Sequence, residues 1–310
     1  MSSLLDILGS SALYAAAIRL ALPVFLAALG EVYAERAGLV NVGLEGMMLA
    51  GAFGGVYGAH LTGSPIGGAV MGVLFALVVA AIQSTIAVNL GGDQIVAGIA
   101  LNIAALGVTA FLARTIWAGG DVPQVAHFDT LAVPGLSDLP VLGPIVFEQN
   151  ALVYLAGLLA LASWWALTRT TWGLRLRACG EAPRASDSLG IPVFAIRWQA
   201  MLICGALTGL GGVFLSLGEL FTFTDGMSGG RGYIALAVVI IARWKPARVI
   251  WAALLFGGFE ALAFRVQATG ADIPYELMLA LPYVMTLLVY AGVVGRVTPP
   301  AALGRVYTRT

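Results

Sequence analysis

Charge is the scarcest feature of this chain. Of its 310 residues only 10% are Asp, Glu, Lys or Arg, against about 25% in an average soluble domain. Lysine occurs once, as Lys245, and Pro246 follows it, so the Gly-Lys-Ser/Thr ending of a phosphate-binding loop cannot be built. The chain is therefore not expected to hold ATP in that manner. Histidine is confined to His60 and His127, neither with a second ligand at metal spacing, so no metal site is expected. Cys179 and Cys204 give neither a disulfide framework nor a zinc pattern and read as structural. A formal net charge of zero leaves no basic face for phosphates, which excludes nucleic acid as a partner. With no nucleophile or metal constellation, the chain is not expected to be an enzyme.

What is abundant is apolar surface. The chain is 60% hydrophobic with a mean hydropathy of +0.93, and about 20 apolar residues cross a hydrocarbon core as helix. Runs of that kind fall at 13–33, 39–61, 66–89, 94–117, 150–168, 195–217, 232–244, 247–266 and 275–294. The expectation is an all-α polytopic membrane protein, one transmembrane domain over 1–310, with about nine spans. The run 232–244 is too short to cross alone, so it is tilted, extended by its glycine-rich approach, or half of a broken helix buried in protein. Arg19 interrupts the first run, which moves the expected start of that span toward Leu20. MSSLLDILGSS has no positively charged start before its apolar run, so a cleavable signal is not expected.

Orientation follows from arginine and lysine in short loops. The segment 169–197 carries Arg169, Arg175, Arg177, Arg184 and Arg197, and alternation puts it on one side with 243-RWKPAR-248 and the tail bearing Arg296, Arg305 and Arg309. That side is the cytoplasm. The segment 118–149 has Asp121, Asp129, Asp138 and Glu148 without a single Arg or Lys, and reads as a long external loop. Its four prolines and missing helical period suit a cap that meets a soluble partner. The N-terminus then lies outside and the C-terminus inside.

Five separated blocks, 35-ERAGLVNVGLEGMMLAGA-52, 91-GGDQIVAGIALNIAALGVTAFL-112, 180-GEAPRASDSLGIPV-193, 230-GRGYIALAVVIIARWKPARVIWAALLFGG-258 and 281-LPYVMTLLV-289, together resemble the permease subunits of nucleoside-type ABC importers. These sit in the branched-chain amino acid and simple-sugar permease superfamily. The resemblance runs from about Pro23 to Gly304, and the ERAG-to-GLEG block points to nucleosides over pentoses. One departure is 240-IIARW-244, where relatives often carry a smaller residue near Ala242. The resemblance implies a multi-pass subunit in the cytoplasmic (inner) membrane of a prokaryote. It pairs there with a second, homologous permease, a cytoplasmic ABC ATPase and an external substrate-binding lipoprotein or periplasmic protein. No cofactor is expected on this chain; ATP and Mg belong to the partner ATPase.

The expected site residues are few. Asn41 and Glu45 are four apart beside Gly38, Gly43 and Gly46, a composition that suits a broken helix lining a cavity. A carboxylate and an amide are apt partners for ribose hydroxyls and base N–H groups. Glu45 either lines the pathway or braces the broken helix by accepting its free N–H groups. Gln94 and Asn102 are eight apart on one helix face, and either line the pathway or bind helices together. Glu35 and Arg36 read as a helix start at the cytoplasmic interface, and Phe221 and Phe223 as interface anchors. In 181-EAPRASDSLG-190, Pro183 suits a first turn and Gly190 a helix stop, with Arg184 and Asp187 on the exposed face. The resemblance makes this element, from Glu181 on, the helix that docks into the ATPase. Two rival readings remain, a ribose-like sugar permease and an ion-coupled carrier with Glu45 as its ion site.

Overall fold

A single apolar run of 26 residues opens the fold as helix α1 (Ser11–Arg36), in a computed structural model that describes residues 9–117, 123–140, 142–268, 284 and 298–308. The helix does not wait for Leu20. Arg19 is accommodated within it by pairing with Glu219 at 3.6 Å, each side chain partly exposed. α1 ends where Gly38 takes φ +88°, with the N–H of Leu39 donating to Ala34 O at 2.9 Å, the left-handed stop that glycine allows.

The chain then forms α2 (Leu44–Thr62), α3 (Pro65–Ser84, continued by a π turn over Thr85–Asn89), α4 (Gln94–Ile116) and, after the external segment, α5 (Ala151–Arg169). Caps are locally encoded: Asp93 Oδ1 accepts from Ile95 N at 2.9 Å and Asn150 Oδ1 from Leu152 N at 2.9 Å. Next come α6 (Thr171–Glu181), α7 (Pro183–Ser188), α8 (Val193–Val213, continued by a π stretch over Phe214–Leu220), α9 (Arg231–Ile241) and α10 (Pro246–Ala268).

Six of these helices are long and apolar enough to cross a membrane: α1, α3, α4, α5, α8 and α10, with the π stretches of α3 and α8 included. α2 falls short of that composition because Gly46, Gly51, Gly54, Gly55 and Gly58 dilute its apolar content, yet it is buried along most of its length up to Ala59. α9, with 11 residues, spans about 16 Å of a core about 30 Å thick. The expected span 275–294 lies outside the described residues, Val284 excepted.

α8 is the axis of the bundle, lying between α1 and α2. A Cβ on Gly30 would sit 2.8 Å from Cys204 O, and one on Gly51 would sit 2.7 Å from Gly209 Cα, so backbones touch where side chains would otherwise intervene. Pro23 meets Gly211 while Gly30 meets Cys204, so α1 is antiparallel to α8; Gly51 meets Gly209 while Gly55 meets Ser216, so α2 runs parallel to it. α10 closes on α1, where a Cβ on Gly257 would sit 2.6 Å from Ala21 N. The outer helices show the opposite pattern, exposing Val70 and Val78 on α3, Ile103 and Phe111 on α4, and Leu158 and Leu161 on α5. Apolar residues turned outward in this way are what a lipid-facing helix carries.

The external segment is non-helical over most of its described part, as its prolines require. β1 (Thr130–Ala132) pairs antiparallel with β2 (Glu148–Asn150), Thr130 opposite Asn150. It folds back onto the end of α8, with Phe128 N donating to Leu217 O at 3.0 Å and the His127 ring 4.0 Å from that of Phe221. Phe223 is not at a lipid interface: it is buried edge-on against Phe53, ring centres 5.4 Å apart.

Candidate functional site

Between Arg36 and Leu44 the chain is unwound but not outside the bundle. The N–H of Asn41 donates to Glu31 Oε1 at 2.9 Å, and Glu31 lies more than a turn before the end of α1. The unwound residues therefore run back inward before α2 begins. Backbone groups buried without helix need other partners, and side chains of the stretch itself and of a neighbouring helix supply them. Gln94 Oε1 accepts from Val40 N at 2.7 Å, Asn41 Oδ1 from Gly43 N at 3.0 Å and Asn102 Oδ1 from Gly46 N at 2.7 Å. Asn102 Nδ2 donates in turn to Val42 O at 2.9 Å. Three of the four expected pathway residues thus close the hydrogen bonds of one unwound stretch.

Glu45, the fourth, stands where two helices begin. It lies in the first turn of α2, and its carboxylate accepts from Ser228 Oγ at 2.6 Å, Gly230 N at 2.7 Å and Gly232 N at 2.7 Å. The positive ends of two helix dipoles meet across this one anion, which is the arrangement a carboxylate favours. Close approach makes glycine necessary at 232, because a Cβ there would sit 2.6 Å from Glu45 Cα. The turn leading in has positive φ at Gly226, Gly229 and Gly230, which a side chain would resist. Glu45 therefore braces a pair of broken helices, whatever else it touches.

Tyr233 escaped the sequence reading. It follows this turn on α9, its hydroxyl accepts from Asn102 Nδ2 at 2.9 Å, and 46% of it is exposed. It presents an aromatic face and a hydroxyl proton beside the cluster. Glu31 was missed as well: fully buried, it accepts from Asn41 N and, through Oε2, from Cys204 Sγ at 3.4 Å. A lone carboxylate inside the first apolar run was the available signal. Glu35 and Arg36 hold the α9–α10 turn, Glu35 accepting from the Trp244 indole N–H and Arg36 Nε donating to Trp244 O at 3.1 Å.

At the same end of the bundle α7 is a six-residue helix with Pro183 in its first turn. Gly190 takes φ +79°, and Gly190 N and Ile191 N donate to Asp187 O at 2.8 Å and Ser186 O at 3.0 Å, closing the helix with a left-handed stop. Arg184, Ser188 and Leu189 are exposed, Asp187 is half-buried and Ser186 is buried. The tail crosses here: Ala301 N donates to Glu181 Oε2 at 3.1 Å, and Ala302 N to Gly180 O at 2.9 Å.

Residues 13–290 match the family described as branched-chain amino acid transport system / permease component. The chain belongs to this permease family. It is 37% identical to the guanosine ABC transporter permease protein NupQ of Bacillus subtilis, over 93% of this chain and 94% of the relative. It is 36% identical to the nucleoside ABC transporter permease protein NupC of Lactococcus lactis, over 93% and 94%. A putative glucose ABC transporter permease protein of Haloferax volcanii, TsgC13, is 36% identical over 82% of this chain and 77% of its own length. No solved structure matches the chain. For a permease, the combination seen here has physical content: irregular backbone held at depth by amides, and half-helices whose first turns meet inside the protein.

Proposed function

We propose that this permease carries nucleosides inward as the membrane subunit of an ABC importer, by alternating access driven by ATP and Mg on a partner ATPase. The observation that carries the reading is the likeness along nearly the whole chain to two nucleoside permeases of different bacteria. The glucose permease relative supports the sugar alternative over a smaller share of both chains. The whole chain acts as one permease domain of about nine spans in the inner membrane of a prokaryote. It pairs with a second permease and receives its substrate from an external binding protein.

The N-terminus faces outward and the C-terminus the cytoplasm. Supporting this, Arg36, Arg177, Lys245 and the tail gather at one end of the bundle, whereas Asp129, Glu148, Glu219 and Asp225 lie at the other, where Arg19 and Arg114 are each paired with a carboxylate. Asn41, Glu45, Gln94 and Asn102 shape the pathway by holding its unwound wall, and Tyr233 offers the nucleobase a stacking face. Glu181, Pro183, Arg184, Asp187 and Gly190 form the element that docks into the ATPase. The test is uptake by the reconstituted complex: labelled guanosine should enter with ATP and be displaced by unlabelled nucleosides. Displacement by ribose or glucose at equal concentration, with nucleosides inert, would replace this reading with the sugar permease.

A further inference from the structure

At the basic end a cleft of about 300 Å³ opens between the last turn of α1, the end of α5, α6 and the α9–α10 turn. Arg36, Arg177 and Lys245 line it together with Trp164, Thr168 and Ala247. Among the described residues no carboxylate lies within 4.0 Å of any of these three cations. Arg36 and Arg177 hydrogen-bond through Nε, to Trp244 O at 3.1 Å and Gly173 O at 3.3 Å. Both guanidinium forks are therefore left with N–H groups for another acceptor. The Arg177 charge bears on Arg36, and like charges held close in a half-buried site are unfavourable unless an anion joins them. Glu181 acts on Arg36 with the opposite sign from beyond ion-pair distance, so part of the Arg36 charge is already balanced and the cleft's remaining positive charge rests on Arg177 and Lys245.

The backbone adds to this. Arg243 and Trp244 both have φ +53°, an uncommon conformation for residues with side chains. That turn sets Lys245 and the positive end of the α10 dipole on the rim of the cleft, although Pro246 has no N–H and Arg248 N and Val249 N already donate to Lys245 O.

What distinguishes a lipid from a free anion is the neighbouring surface. From the cleft an apolar strip continues along α5: Trp164 is 41% exposed, Leu161 65% and Leu158 64%. Arg169 sits 5.7 Å over the Trp164 ring, as in the aromatic and basic belts found at membrane interfaces. A free phosphate would use only the cations. We propose that this cleft binds the phosphate headgroup of an anionic lipid, with Arg36, Arg177 and Lys245 on the phosphate and the acyl chain along Leu161 and Leu158. Basic pockets between spans recognise lipid headgroups by this chemistry. Assigning the lipid to the cytoplasmic leaflet rests on the orientation proposed above; the site itself does not.

The test titrates phosphatidylglycerol onto the detergent-solubilised transporter complex and counts retained lipid by native mass spectrometry. Lys245→Gln, at an exposed position, should weaken retention about fivefold, and Arg177→Gln with Lys245→Gln about thirtyfold. Lys245→Arg should retain it, and phosphatidylcholine should not bind at this affinity. Wild-type retention in the double variant overturns the proposal, as does inorganic phosphate binding as tightly as the lipid, which would mark a free-anion site. Unchanged lipid retention with loss of the ATPase on pull-down would instead identify a protein-docking surface and also overturn it. Nucleoside uptake is scored separately, so failure here leaves the transport reading standing.

Discussion

Glu45 ties the first turn of α2 to the turn that opens α9. Its two oxygens accept three hydrogen bonds from the start of α9, and a glutamine in its place has one oxygen and an NH2 that must face a backbone N–H. Glu45→Gln is expected to cost about 1–3 kcal/mol and to lower uptake and the melting temperature of the complex together. From sequence alone, pathway lining and helix bracing were both open for this residue; a variant with impaired uptake and wild-type melting would restore pathway lining as its main role. Tyr233→Phe keeps the ring and removes the acceptor of Asn102 Nδ2. It should be milder in stability, about 1 kcal/mol or less, whereas Tyr233→Ala should reduce nucleoside uptake more than it reduces melting temperature if the ring stacks on the base.

Helix contacts depend on glycine at particular places. A Cβ on Gly51 would lie 2.5 Å from Gly209 O and 2.7 Å from Gly209 Cα, both rigid backbone, so Gly51→Ala should separate α2 from α8 and destabilise by about 1–3 kcal/mol. Gly157→Ala on α5 meets nothing within 4 Å and should be neutral or slightly stabilising, since alanine is the better helix former. Thermal denaturation of both variants in one detergent checks the contrast. For α7 the expectation concerns coupling. Arg184→Glu with Asp187→Arg should leave insertion and pairing with the second permease intact, because Arg184 is exposed and Asp187 half-buried on a six-residue helix outside the long apolar helices. ATPase association and uptake should fall together, as like charges meet across the docking surface. Full activity in that double variant would show that α7 is not the socket.

Over the whole molecule, the proposed orientation can be measured by labelling its two ends. Cys179 and Cys204 are both buried, so they should stay silent toward a membrane-impermeant thiol reagent. Ser188→Cys should then react only from the cytoplasmic side and Asp138→Cys only from outside. The reverse pattern would invert the topology and move the cationic cleft to the outer leaflet. The purified chain should neither bind nor hydrolyse ATP, and proteoliposomes containing it alone should show no ion-driven nucleoside uptake; such uptake would mark a self-sufficient carrier.

Most of the helices were legible in the residues, because bilayer thickness and the 1.5 Å rise per residue fix how long an apolar run must be. The short α7, too, is written locally by Pro183 and Gly190. The break after Arg36 was visible as glycines beside polar groups, but not how it is held. Gln94, Asn102 and Glu31 come from sites 54, 56 and 10 residues away from the atoms they bind, and only packing brings such distant groups within hydrogen-bond reach. The same holds for Glu45, whose partners on the α9 turn are 183 to 187 residues away. Sequence determined that a carboxylate would enter the membrane with its helix. Tertiary structure decided what that carboxylate holds, because a buried N–H must find an acceptor and the chain alone does not say which acceptor arrives.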